Sequence, residues 1–114
     1  MSVRINIRKR DGITVVDLEG RIILGPAADS VTSALQNLIA QGTRTVVLNM
    51  AALQQVDSSG ISTVVRNFVS MQRAGGKMVL VAVPDRVRLV FEMSRLFDAI
   101  PSAPTEEDGL RSLR

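Results

Sequence analysis

The stretch Asp57-Ser58-Ser59-Gly60 holds the residues of this 114-residue chain best suited to chemistry. An apolar run precedes it, and Ile61, Val64, Val65, Phe68 and Met71 follow along one helical face. The tetrad therefore belongs at a strand-to-helix junction. Asp or Ser just before a helix accepts hydrogen bonds from its first free amides, an ordinary capping role worth about 1 kcal/mol. The hydroxyl of Ser58 has a second use. At the end of a strand in an open α/β sheet it lies near the surface, where ligands and partners bind. A phosphate there brings roughly −1.5 to −2 charges to the positive end of a helix dipole, where free amides help to hold it. A partner packed on the same spot must desolvate that charge. The expected result is a domain little changed by modification and an affinity much changed.

Serine catalysis does not fit. The chain has no His and no Cys, which removes His-based triads, thiol nucleophiles, Cys/His zinc sites and disulfides together. The tetrad is not a Gly-x-Ser-x-Gly elbow. Asp57, Asp85 and Glu92 show no spacing that argues for a paired acid and base. Gly75-Gly76-Lys77 precedes a strand and lacks phosphate-loop spacing. The expectation is a binding protein and not an enzyme, with no catalytic residue, metal or cofactor.

The elements that must position Ser58 follow from periodicity. Ile5 and Ile7 alternate with polar residues, Asp11-Gly12 signals a hairpin, and Ile13–Glu19 reads as the returning strand. Gly20 is expected to end that strand. Arg21–Pro26 then becomes a loop carrying exposed Ile22, Ile23 and Leu24, either partly buried under the sheet end or forming an apolar partner patch. Val31, Ala34, Leu35, Leu38 and Ile39 mark a first helix, stopped near Gly42. Thr45–Met50 and Lys77–Val83 are apolar runs expected of buried strands, with Ala51–Val56 as a connector. Pro84 opens a third helix whose apolar pattern runs from Val87 to Phe97, and Thr105–Arg114 suits a short terminal helix. The methionines read as core fillers. The order predicts an α/β fold, a mostly parallel sheet preceded by a β-hairpin, with helices packed on one side. Residues 1–114 suit a single domain.

The net charge is +3, from fourteen basic and eleven acidic residues. Arg4, Arg8, Lys9 and Arg10 are expected on a solvated strand and turn, so no direct nucleic-acid partner is expected. The apolar run Met78–Val83 is too short to span a membrane, and no signal-peptide block follows the basic N-terminus. Cytoplasmic localisation is the default.

Leu48-Asn49-Met50 followed by Val56-Asp57-Ser58-Ser59-Gly60-Ile61 resembles the core signature of bacterial anti-sigma-factor antagonists, the STAS domain family. Gly75–Val81 and Val90–Phe97 resemble later stretches of that family, in the same order. The resemblance implies a STAS fold with Ser58 phosphorylated by an anti-sigma factor that is an ATP-dependent serine kinase. By the same resemblance, the unmodified form is expected to bind that kinase and free the sigma factor, with a PP2C-type phosphatase resetting the switch. It implies a partner surface around Asp57, Ser58, Ser59 and Gly60. Many relatives carry an acid after the glycine that ends the second strand. Here Gly20-Arg21-Ile22-Ile23-Leu24-Gly25 carries none, which leaves the partner's identity open. The other reading of the same fold is a regulatory subunit of a stressosome-like or lipid-transport assembly. Oligomeric state is not readable from these residues.

Overall fold

A computed structural model describes residues 3–114. Strands β1 (Val3–Arg10) and β2 (Ile13–Ile22) form an antiparallel hairpin around Asp11-Gly12. Both turn residues have positive φ, 54° and 79°, which matches the twist of the flanking strands and suits Asp-Gly. Strands β3 (Thr45–Val56), β4 (Lys77–Val81) and β5 (Ser102–Ala103) add in parallel, so spatial order equals chain order. The helices are α1 (Pro26–Ala40), α2 (Ser58–Arg73), α3 (Asp85–Met93) and α4 (Glu106–Leu113). This is the expected α/β architecture with a leading hairpin and a mostly parallel sheet.

The crossover helices α1, α2 and α3 share one face of the sheet. There Val31, Leu35, Val64, Met71, Val87 and Phe91 pack with Val16, Leu48 and Leu80 in the main core, as uniform right-handed crossovers require. Helix α4 departs from the expectation that all helices lie together. It covers the opposite face, where Leu110 is buried against Val15, Val47, Val79 and Val81. The reason is apolar demand on both faces: the valines of β2, β3 and β4 point alternately to each, and among the described residues α4 joins no two strands of the sheet, so the handedness rule does not place it. Gly109 lets it sit close, since a Cβ there would lie 2.4 Å from Val81 Cγ1.

Two of the four basic residues of β1, Arg8 and Arg10, are less solvated than expected, while Arg4 and Lys9 are exposed. Arg8 bonds Asp17 at 2.7 Å and Glu106 at 2.5 Å, while Arg10 bonds Glu106 at 2.6 Å and pairs with Glu107. Asn49 donates to Glu106 at 3.0 Å. Arg8, with Arg10 and Asn49 assisting, pulls the Glu106 carboxyl down to about 2. The acidic first turn of α4 thus docks on β1 and β3 and takes up part of the basic cluster.

Three boundaries differ from expectation. Strand β3 continues past Met50 because β2 also continues, pairing Gly20 with Leu53 and Ile22 with Val56 across two register shifts. Those irregularities bury Met50, Leu53 and Val56 at every third position, which hides the strand from any period-two pattern. Helix α3 stops at Met93; Arg95 adopts a left-handed φ of 56°, and a short 3-10 turn at Leu96–Asp98 returns Leu96 to the core. Met93 is consequently 79% exposed and fills no core, unlike Met50, Met71 and Met78.

Candidate functional site

The site begins where β3 hands over to α2. Asp57 is the N-cap in extended conformation, its Oδ1 accepting from the Gly60 N–H at 2.9 Å. Its Oδ2 accepts from the Leu24 N–H at 3.1 Å. One carboxylate therefore joins the start of α2 to the β2–α1 loop. The Gly60 amide, aided by those of Leu24 and Ser59, holds the Asp57 carboxyl below the usual range despite some desolvation. The Asp57 N–H donates to the Ile22 carbonyl at 3.3 Å, and the Asp57 carbonyl accepts from Ile61 N–H at 3.0 Å. Asp57 is fixed through both its backbone and its side chain.

Ser58 is the first residue of α2 and is exposed. Ser59 is half-buried, its carbonyl accepting from the Thr63 hydroxyl at 2.9 Å. Gly60 is buried under β2: a Cβ there would lie 2.3 Å from the Ile22 carbonyl oxygen and 2.7 Å from Val56 Cγ1. Gly60 therefore shapes the site by close approach and offers a partner no surface. Its amide is already engaged by Asp57, so a phosphate at this helix start would compete with that carboxylate for the Gly60 donor.

The stretch Ile22-Ile23-Leu24 divides. Ile22 is fully buried at the end of β2, beside Val56, and is corrected from exposed loop residue to core residue. It cannot contact a partner while the domain is folded. Ile23 is half-buried and Leu24 is 77% exposed, so the apolar patch reduces mainly to Leu24. The reason is that β2 runs two residues past Gly20 to follow the long β3.

Between the N-terminal halves of α1 and α2 lies an open groove of about 630 Å³, with Ser58 in its lining. Leu24, Ala28, Ile61 and Val65 supply apolar wall, and Asp29 and Arg66 supply charge of either sign. Asn67 fixes the groove's width. Buried between the two helices, it donates to Thr32 Oγ1 at 3.3 Å and to the Thr63 carbonyl at 2.8 Å, and accepts from Gln36 at 3.1 Å. Sequence reasoning did not single out Asp29, Ser62, Arg66 or Asn67. A usable signal was present for two of them: Ser62 and Arg66 follow Ser58 by four and eight residues, hence along one side of a helix.

Comparison with known proteins places the chain among relatives of low sequence identity. No curated protein matches it in sequence. The STAS domain family model matches residues 4–109. An anti-sigma factor antagonist from Mycobacterium paratuberculosis superposes with a TM-score of 0.88 at 21% identity, covering 99% of this chain and 95% of that one. The Bacillus cell fate determinant SpoIIAA in its phosphorylated form gives 0.71 at 24% identity, over 99% and 100% of the two chains. An anti-sigma-factor antagonist (STAS) domain protein from Planctomyces limnophilus gives 0.81 at 18%, over 96% and 97%. At these identities the likeness is one of fold.

Proposed function

The chain belongs to the STAS domain family, and from that premise we propose that it is an anti-sigma-factor antagonist switched by phosphorylation of Ser58. Unmodified, it binds an anti-sigma factor that is also a serine kinase, and the sigma factor is freed. The kinase then joins the Ser58 Oγ to the γ-phosphorus of ATP; the bond to ADP breaks, and the hydroxyl proton passes to a base on the kinase. The dianion at the groove makes rebinding costly, since a close-packed partner must desolvate it. A PP2C-type phosphatase restores the hydroxyl. In this reading residues 1–114 act as one STAS domain, a binding module and phosphoryl acceptor and not an enzyme, working in the cytoplasm. Among the described residues no helix is long and apolar enough to cross a membrane.

The observation that carries the reading is the exposed Ser58 at the first position of α2, at the groove, on a frame set by Asp57 and Gly60. Ser58, Ser59, Ile23 and Leu24 supply the contact surface. Incubation with the anti-sigma kinase and ATP should add one phosphate, mapped to Ser58 by intact-mass and peptide analysis. Ser58→Asp should weaken kinase binding about tenfold or more by adding charge at the contact. Modification elsewhere, or unchanged binding by Ser58→Asp, refutes the reading.

A second reading keeps the fold and changes the setting: a subunit of a stressosome-like or lipid-transport assembly. It draws on α3, where Leu89 and Met93 are 60% and 79% exposed, one helical turn apart and outside the Ser58 groove. Recovery of assembly subunits, and no kinase, in a pull-down would favour it.

A further inference from the structure

The Asp57 carboxylate holds two amides at once, Gly60 on α2 and Leu24 in the β2–α1 loop, and the residue beside it is the proposed phosphoacceptor. We propose that a phosphate on Ser58 breaks the Asp57–Leu24 tether, so that modification loosens the apolar rim of the groove as well as adding charge. The biological meaning rests on Ser58 being the modified residue; the physical coupling does not.

The argument begins with competition. A phosphoserine brings roughly −1.5 to −2 charges and three strong acceptor oxygens to the first position of α2. The amides of that first turn are then claimed by two anions, the phosphate and the neighbouring carboxylate. Adjacent side chains lie well within the screening distance of about 8 Å at physiological salt, so the two repel. Protonation gives Asp57 no escape, because a carboxyl of ordinary acidity is already ionised at neutral pH. The backbone of Asp57 cannot retreat either, being bonded to Ile22 on one side and Ile61 on the other. The side chain is the part free to turn.

When it turns, Oδ2 leaves the Leu24 N–H. Little else holds that residue. Leu24 is 77% exposed and is not part of the buried core. On one side Ile22 is anchored in the core; on the other, Gly25 at φ 103° leads into Pro26 and α1. The Gly25 carbonyl accepts from the Asp29 N–H at 3.1 Å as the cap of α1, so the segment released is short: Ile23 and Leu24. Leu24 is also an apolar wall of the groove. One covalent event thus alters both the charge and the shape met by a partner.

The test needs no kinase. Full-length protein with phosphoserine installed at position 58 during translation is compared with unmodified protein by amide hydrogen exchange and NMR. The Leu24 amide should exchange at least about tenfold faster and lose the downfield shift of a carboxylate-bonded N–H. Gly60 should stay protected, its amide passing to the phosphate, and the remote turn at Gly75 should not change. Asp57→Ala without phosphate should release Leu24 in the same way. If that variant does not fold, the phosphoserine comparison decides alone. Identical Leu24 exchange and shift in the two proteins overturns the inference and leaves the kinase assay untouched. A kinase that ignores Ser58 refutes the functional reading and leaves this coupling standing.

Discussion

Gly60→Ala separates two opposed effects at the centre of the site. On helix propensity alone, replacing a helical glycine by alanine stabilises by about 1 kcal/mol. Here the added Cβ would lie 2.3 Å from the Ile22 carbonyl oxygen and 2.7 Å from Val56 Cγ1. Relief requires a movement of about 1 Å, and the nearer obstacle is backbone already bonded to the Asp57 amide. Overpacking of this kind costs about 1–3 kcal/mol. Because the nearer obstacle is backbone, the upper end of that range applies, and the net expectation is a loss of about 1–2 kcal/mol, or a fall in Tm of about 4–12 °C for a domain of this size. Thermal melts and urea titrations with an unchanged m-value are the assay. An unchanged or raised Tm would show that α2 has room at Gly60, and the account of how Ser58 is positioned would fail with it.

Two further expectations test other parts of the structure. Glu106 has its carboxyl at about 2 in the folded state, against an ordinary 4.5, so its contribution is present above 4.5 and lost as pH falls toward 2. Glu106→Gln should cost up to about 3 kcal/mol at neutral pH and flatten the acid limb of a stability-against-pH curve; a parallel, merely lowered curve would contradict this. Ile22→Ala should destabilise by about 2–4 kcal/mol. Leu24→Ala should fall within about 0.5 kcal/mol of wild type yet weaken kinase binding, and the reverse pattern would restore Ile22 as a surface residue.

What could be read from sequence depended on how local each signal was. The hairpin was legible because Asp11-Gly12 meets a local φ requirement, and the start of α2 because Asp57 caps within its own turn. The second half of β3 was not, since Leu53 and Val56 are buried through register shifts against β2. Ile22 was misplaced for the same reason: Gly20 reads as a stop, but the long partner strand carries β2 past it. The tetrad itself was found, but the duties of its members were not all separable. That Asp57 reaches Leu24 and that Gly60 lies under Ile22 depend on a contact more than thirty residues distant in sequence. Arg8 and Arg10 looked solvated because Glu106, which both of them bind, lies almost a hundred positions away.

That last separation bears on how the chain folds in time. Strands β1 to β4 and helices α1 to α3 can assemble during synthesis as soon as residue 100 or so has emerged. The face carrying Val15, Val47, Val79 and Val81 then waits, apolar and uncovered, for α4. At synthesis rates of about 5–20 residues per second the interval is around a second or more, long enough for a sticky sheet face to meet another chain. The acidic first turn of α4 should shorten the search, because the attraction of Glu106 and Glu107 to Arg8 and Arg10 acts over a longer range than the packing of Leu110. Cutting the chain ahead of Thr105 would make that interval permanent, and aggregation of such a truncation should be suppressed by adding α4 back as a separate peptide.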